Sequence, residues 1–222
     1  MKQPDFSEII RYASYASIAF PLLAYLVKFR LATRAIHLIG AVAVVSAISD
    51  TIAFRSFAQG TSTILLFNTY YVVLFALLAW FYLDILTQKS ERPIVIGGLV
   101  IFIISFVLIT GFVQPFTVYQ NHVWTLIALI MVIFSTCYVL QVFSLRAPMS
   151  NNALLWINSG ILYYFTLNLF LFVMSNYVLT KMEPEISNLI WSFHNINNVL
   201  KNILIGIGIL SLSAPRPQTS SF

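Results

Sequence analysis

This chain of 222 residues has little charge: 9% of its residues are Asp, Glu, Lys or Arg, whereas 59% are hydrophobic. Soluble domains usually carry about a quarter charged residues, so the composition excludes a water-exposed surface over most of the molecule. The polar breaks between its apolar segments are too short to hold a soluble catalytic domain. The single cysteine, Cys137, excludes an intrachain disulfide.

Motifs that carry chemistry are equally scarce. The three histidines, His37, His122 and His194, fall at different depths of the apolar segments, which does not fit a metal-dependent hydrolase. No glycine-rich phosphate loop, nucleophile elbow or Cys/His metal spacing is present. The 12 basic residues are dispersed instead of gathered in a patch, so we expect no nucleic-acid partner. We predict a protein without enzymatic activity, without a metal site and without a cofactor.

Long apolar segments make up most of the sequence. A bilayer core of roughly 30 Å needs about 20 apolar residues per helix, and seven such segments follow one another. Membrane β-strands are shorter and alternate in polarity, so these continuous runs favour helices. The sequence predicts an all-α membrane protein with the lipid bilayer as its surroundings: one seven-transmembrane-helix bundle over 1–212 and a short disordered tail over 213–222. The predicted helices are 8–28, 35–56, 62–84, 94–114, 123–144, 153–178 and 187–211.

Lysine and arginine residues near the helix ends predict the orientation of the bundle, because cytoplasmic loops are enriched in both. One face collects most of them, the other face collects fewer, and Lys201 lies inside the last helix. The asymmetry predicts an N-terminus outside and a cytoplasmic C-terminus. The richer face has Lys28, Arg30, Arg34, Lys89, Arg92, Arg146 and Arg216, and the poorer face has Lys2, Arg11, Arg55 and Lys181.

A few polar residues lie inside the predicted helices. Such residues are costly in a bilayer, and ionisable ones mark functional sites by default. Asp50, Asn68 and His194 fall at a similar depth in the outer half, and Asn168 falls somewhat deeper. We expect a polar cluster in which Asp50 accepts a hydrogen bond from His194. The alternative is that these side chains only join neighbouring helices by hydrogen bonds.

The last predicted helix carries an unusually polar stripe between Trp191 and Asn202. Residues 191, 195, 198 and 202 share one helical face, and 194, 198 and 201 share an adjoining face. Lipid would not tolerate this stripe, so it must face the interior of the bundle. The candidates for binding a ligand or a proton are Asp50, Asn68, Asn168, His194, Asn195, Asn198 and Lys201.

Most tryptophan and tyrosine residues near the helix ends are typical of anchors at the membrane interface. We assign this role to Trp80, Trp124, Trp156, Trp191, Tyr119 and Tyr177.

A lysine in the seventh helix also raises the hypothesis of a retinal protein. The third predicted helix has no mid-membrane carboxylate to balance a protonated Schiff base. Asn197 stands four residues before Lys201, where microbial rhodopsins commonly carry an acid. Both differences argue against retinal on Lys201.

Parts of the last two predicted helices resemble a group of bacterial proteins. The resemblance lies in residues 156–165 (WINSGILYYF), 168–172, 191, 194–196 and 198–204. These segments are similar to small seven-helix membrane proteins of bacteria and to membrane regions that precede histidine-kinase domains in some proteins. The resemblance implies a sensory module in the bacterial inner (cytoplasmic) membrane that acts through a separate partner, such as a cytoplasmic kinase or another membrane protein.

The leading hypothesis is therefore a non-enzymatic, sensor-like or signalling module in which the polar cluster engages a small ligand or a proton. A structural or accessory subunit of a larger membrane complex is the first alternative. A small transporter or channel is the second, and it requires a continuous polar path through the bundle.

Overall fold

The computed structural model describes residues 5–144 and 153–213, and over these residues the chain is all-helical. The basic residues Lys2, Arg146 and Arg216, and the predicted tail beyond Ser213, lie outside the described residues. The α-helices are α1 (Phe6–Ser17), α2 (Ala19–Lys28), α3 (Arg34–Ala58), α4 (Ile64–Ile85), α5 (Arg92–Leu108), α6 (Asn121–Ser144), α7 (Ala153–Lys181) and α8 (Pro184–Leu210). A 3₁₀ turn, Phe29–Leu31, follows α2, and a π-helical turn, Ile109–Val113, extends α5.

The first predicted helix, 8–28, is two helices in the structure, with a turn at Ile18. Pro21 explains the break, because a proline ring clashes with the carbonyl four residues earlier and cannot donate a hydrogen bond to it. That carbonyl belongs to Ser17, the last residue of α1. The expectation of one uninterrupted helix is therefore corrected to a rod with a break in its middle.

Within the described residues, six helical rods are long and apolar enough to cross a membrane, which supports an integral membrane protein. The helix α8 has 27 residues and thus sufficient length, but its polar stripe keeps it outside this group. The six rods are Phe6–Leu31, Arg34–Ala58, Ile64–Ile85, Arg92–Val113, Asn121–Ser144 and Ala153–Lys181.

The rods pack side by side into a closed bundle. The helix α8 packs against α7 on one side and against α1 and α2 on the other. The helix α3 packs between α2 and α4, and α6 packs against α4, α5 and α7. We call the end at which α1 and α8 begin the N-terminal end of the bundle. The stripe on α8 points inward, since Ser192, Asn197, Lys201 and Asn202 are all buried.

The half of the bundle away from the N-terminal end is filled with large side chains. Phe81 and Tyr82 of α4 and Phe134 of α6 are at most 1% exposed. The Tyr82 hydroxyl donates to Asn158 Oδ1 of α7 at 2.8 Å and lies 2.6 Å from Ser135 Oγ of α6. Aromatic packing and this three-helix hydrogen-bond network leave the larger open space to the N-terminal half.

Candidate functional site

A cavity of about 260 Å³ lies in the N-terminal half of the bundle, among α1, α3, α4, α6 and α8. Its lining includes the exposed residues Phe57 and Asn188 and the buried residues Ser14 and Tyr71. Because Phe57 is near the end of α3 and Asn188 near the start of α8, the cavity opens at the N-terminal end. A ligand could therefore enter without crossing the packed half.

The polar stripe of α8 forms one wall of the cavity. Trp191, His194, Asn195 and Asn198 all line it. Their spacing of three or four residues keeps them on one side of the helix over two turns. The structure thus brings three of the residues predicted from the sequence to one surface, together with a tryptophan that we expected at the membrane interface.

His194 is held by Asn168 of α7, which is fully buried. The ring Nδ1 lies 3.0 Å from Asn168 Oδ1, and Asn168 Nδ2 donates to the Tyr164 carbonyl at 2.8 Å. Because an amide oxygen can only accept, Nδ1 is the donor and Nε2 keeps its lone pair in the neutral ring. The expected hydrogen bond from His194 to Asp50 does not occur among the described residues, since this ring is anchored on α7 instead.

Asp50 of α3 lines the cavity and is half-buried. Its carboxylate makes neither a hydrogen bond nor an ion pair within the described ranges 5–144 and 153–213. Lys201 is near enough to interact with it electrostatically, but the two groups do not form an ion pair. Asp50 therefore offers the cavity an acceptor that the surrounding described side chains do not occupy.

Lys201 lies beyond the cavity, on its deeper side. The side chain is 8% exposed, and its Nζ lies 4.6 Å from the centroid of the Tyr164 ring, a cation–π contact. It lines a second, much smaller cavity of about 20 Å³. A space of this size gives no support to a retinal chromophore on Lys201.

Asn68 belongs to the fold and not to the cavity lining. Its Nδ2 donates to the carbonyls of Phe116 and Val118, both at 2.8 Å, and its Oδ1 accepts from the Gln120 backbone N–H at 3.3 Å. The chain between the π-helical turn and α6 needs these partners, because buried backbone groups outside a helix must find hydrogen bonds elsewhere. The predicted cluster is corrected accordingly: Asn68 is 1% exposed and fully engaged in this connection.

Aromatic side chains that the sequence analysis did not assign to the site form the wall opposite α8. Tyr71 of α4 and Trp124 of α6 lie 4.7 Å apart between ring centroids, and Tyr119 lies 5.8 Å from Trp124. Burial raises the pKa of Tyr119, which keeps its hydroxyl neutral. Trp124 is 2% exposed, so our assignment of this residue to the membrane interface is wrong. From the sequence alone, an aromatic residue near a helix end that faces lipid cannot be distinguished from one that faces the interior.

The indole N–H groups of Trp124 and Trp191 have no acceptor among the described residues. Both nitrogens are buried and make no hydrogen bond with any described residue. Trp80 and Trp156, by contrast, are 47% and 40% exposed, as expected of interface anchors. An unpaired N–H costs free energy inside a protein, and both of these groups belong to side chains that line the cavity.

The helix α1 supplies the last wall, with Ser7, Arg11 and Ser14 on one face. The Arg11 guanidinium lies 5.8 Å from the centroid of the Phe57 ring, which places it at the mouth, and 3.8 Å from the Glu8 carboxylate. We used Arg11 only to orient the protein. The spacing of four and three residues along α1 is the signal that would have placed it in the site.

Two hydrogen bonds join α1 to α8 beside the cavity, and we call them the α1–α8 seam. Asn198 Nδ2 donates to Ser14 Oγ at 2.9 Å, and Asn202 Nδ2 donates to Ser17 Oγ at 2.7 Å. Asn198 thus joins helices by a hydrogen bond, as the structural alternative predicted, and it also lines the cavity.

Comparison with known proteins adds no relative, since the chain matches no protein-family model, no curated protein and no solved structure.

Proposed function

We propose that this chain is a non-enzymatic, sensor-like membrane protein that binds a small polar ligand from outside and signals through a separate partner. We further propose seven membrane crossings, an N-terminus outside, a cytoplasmic C-terminus and a place in the bacterial inner membrane. The observation that carries the proposal is the 260 Å³ cavity, which combines unpaired polar groups with an opening at the N-terminal end.

The seventh crossing is supported by the two faces of α8. Its polar residues point inward, whereas Phe193, Ile196, Leu200 and Ile203 on the outer face are 36–47% exposed. A helix with this division can lie in lipid, because the bilayer meets only its apolar side.

The orientation is supported by the basic residues that the structure describes. Five lie toward the end opposite the N-terminal end and three lie toward the N-terminal end, which favours the former as the cytoplasmic side. The five are Lys28, Arg30, Arg34, Lys89 and Arg92, and the three are Arg11, Arg55 and Lys181.

The helix α8 also supplies a route from the cavity to the opposite end. It carries His194, Asn195 and Asn198 at the cavity and runs to Leu210. Just beyond it, Lys28 Nζ donates to the Leu212 carbonyl at 2.8 Å. A ligand that shifts α1 relative to α8 would disturb the α1–α8 seam and move the end of α8 against α2. A cytoplasmic kinase or another membrane protein would read this movement.

The packed half of the bundle favours a receptor over an open channel. Phe81, Tyr82 and Phe134 fill the space that a continuous polar path would need. A transporter that changes conformation and an accessory subunit remain separate hypotheses, and the experiment below distinguishes them from a receptor.

The test uses purified protein in lipid nanodiscs and a panel of amino acids, amines, organic acids and sugars. We expect at least one compound to raise the melting temperature of the wild-type protein. Asn195→Phe fills the cavity and should abolish this effect. Ile196→Phe, on the lipid-facing side of the same helix, should preserve it.

Binding that Asn195→Phe leaves unchanged would contradict a role for the cavity. Signalling is tested with spin labels on Ser90→Cys and Ser213→Cys in a Cys137→Ala background, where the bound compound should change the distance between labels. Uptake of the compound into proteoliposomes would instead indicate a transporter. Recovery from membranes in a fixed ratio with another protein, without ligand binding, would indicate an accessory subunit.

A further inference from the structure

This inference rests on the proposed function and concerns the class of ligand that the cavity takes. We infer that the ligand is a small zwitterion, a molecule with both an ammonium and a carboxylate group, as in a free amino acid. The first argument is charge. Among the described residues of the cavity lining, Arg11 is the one Lys or Arg and Asp50 the one Asp or Glu, and they have opposite charges. A zwitterion matches both groups, whereas a ligand with one charge leaves one of them unmatched.

The two charges lie at different depths. Asp50 precedes Phe57 by seven residues on α3, which places it about 10 Å below the mouth at 1.5 Å per residue. Arg11 lies at the mouth, against Phe57. A zwitterion therefore enters with its ammonium group toward Asp50 and its carboxylate toward Arg11. The 3.8 Å pair between Arg11 and Glu8 is long and partly exposed, so Arg11 can exchange that partner for a ligand.

The unpaired hydrogen-bond groups of the cavity-lining residues also include both donors and an acceptor. Trp124 and Trp191 line the cavity and their indole N–H groups are unpaired among the described residues, so a turn of either ring would offer a donor to a carboxylate oxygen. The Asp50 carboxylate needs a donor, which an ammonium group supplies. The Tyr71 and Trp124 rings line the cavity, and aromatic rings stabilise a cation close to them. An amine without a carboxylate satisfies only the second of these needs, and an acid without an ammonium group satisfies only the first.

Lys201 does not replace the ligand's ammonium group. Its Nζ lies against the Tyr164 ring and forms no ion pair with Asp50. His194 does not replace it either, because its Nδ1–H is engaged with Asn168. The carboxylate of Asp50 is thus left to whatever enters the cavity.

The volume limits the size of the zwitterion. Sites for drug-sized ligands usually measure about 300–1,000 Å³, and this cavity is smaller, at about 260 Å³. A single amino acid suits it better than a peptide. Seven aromatic residues line that space, so a ligand with an apolar part is favoured over a sugar.

The experiment measures binding by calorimetry with wild-type protein in nanodiscs. The probes are the twenty common amino acids. For each compound that binds, the matched amine without the carboxylate and the matched acid without the ammonium group are measured as well. We expect at least one zwitterion to bind and both truncated analogues to bind roughly tenfold more weakly or worse, since each loses a charge-assisted hydrogen bond.

Two variants test the assigned groups. Asp50→Asn keeps the shape of the side chain and should weaken the zwitterion roughly tenfold or more while sparing the acid analogue. Trp191→Phe keeps a ring but removes the N–H, and it should weaken the zwitterion and spare the amine analogue. Asp84→Asn and Trp80→Phe repeat both substitutions far from the cavity, and they should leave the affinity unchanged.

An amine that binds as tightly as its parent zwitterion would overturn the inference in favour of an organic-cation site, and a tightly bound acid would do so in favour of an anion site. Either result leaves the proposed receptor function standing, provided that Asn195→Phe abolishes the binding. If no zwitterion binds but a sugar or another compound does, the ligand class is wrong and the function survives. If nothing in either panel binds, both are wrong. The analogue series uses the wild-type protein, so it decides the question even if a variant does not fold.

Discussion

At the scale of single residues, one residue type serves several purposes in this protein, and hydrogen-bond partners tell them apart. Asn68 uses its amide to hold backbone carbonyls of a connecting segment, and Asn168 uses its amide to orient His194. Asn198 joins α8 to α1, whereas Asn195 lines the cavity without a side-chain hydrogen bond among the described residues. A polar side chain whose partners are all within the protein has a structural role, and one that faces open space is available to a ligand.

Glu91 is the clearest case of a charged side chain in an unfavourable place outside the membrane-spanning segments. It directly precedes α5, is 8% exposed, and its Oε2 has no partner in the described part of the chain. Burial raises the pKa of Glu91, with the Gln88 backbone working in the opposite direction. A carboxyl with a raised pKa binds its proton more tightly in the folded state, so its ionised form destabilises the fold at neutral pH. This destabilisation is relieved as the pH falls through the raised pKa.

We therefore expect Glu91→Gln to raise the melting temperature at pH 7, because it removes a poorly solvated charge. The difference from wild type should shrink on acidification and vanish below about pH 4, as Glu91 becomes protonated in both the folded and the unfolded protein. Thermal unfolding in detergent over this pH range measures it. Glu183→Gln is the matched control, since Glu183 also precedes a helix but is exposed. Equal effects of the two substitutions would show that burial is not the cause.

At the scale of the helices, α7 and α8 approach most closely where glycine permits it. A Cβ on Gly208 would lie 2.7 Å from the Ala153 carbonyl oxygen and 2.7 Å from Ile157 Cγ1. The carbonyl belongs to the backbone and cannot move aside without shifting α7. Small residues at such contacts allow membrane helices to pack by van der Waals contact and hydrogen bonding.

Gly208→Ala should therefore destabilise the protein by about 1–3 kcal/mol, the usual cost of overpacking a tight contact. Gly97→Ala is the control on α5, where a Cβ meets nothing within 4 Å. That change should be neutral or stabilising by up to about 1 kcal/mol through helix propensity. The free energy of unfolding in mixed micelles measures both, and a Gly208→Ala protein as stable as the Gly97→Ala protein would be incompatible with this α7–α8 contact.

At the scale of the whole molecule, the proposed orientation determines which solution reaches the cavity. Thr61 lies between α3 and α4 near the N-terminal end, and Ser90 lies between α4 and α5 near the opposite end. Both residues are exposed.

In a Cys137→Ala background, we expect a thiol introduced by Thr61→Cys to react with an impermeant reagent added outside intact cells. A thiol introduced by Ser90→Cys should react only after the cells are opened, because it lies on the cytoplasmic side. The reverse pattern would show that the orientation is opposite to the proposed one and that the cavity opens toward the cytoplasm. Labelling of both positions from one side would show that α4, the helix between them, does not cross the membrane.

Much of the architecture follows from local features of the chain. Composition and a period of 3.6 residues determine that the chain is all-helical, how long its apolar segments are and which residues form the inward stripe of α8. Neighbouring helices do not change these properties. The break at Ile18 was readable too, since Pro21 acts on the carbonyl of Ser17 in the same helix. Depth along a helix is equally local, and for that reason Asp50, Asn68, Asn168 and His194 could be placed in one half of the bundle.

Only the tertiary structure decided which of these groups meet. Rotation of each helix about its axis and the identity of its neighbours depend on the packing of all the rods together, and no segment encodes them alone. That packing turns Asn68 toward a connecting segment, anchors His194 on Asn168 and leaves Lys201 beyond the cavity. It also brings Arg11, Trp124 and Trp191 to the cavity, although their positions near helix ends are equally typical of residues that face lipid.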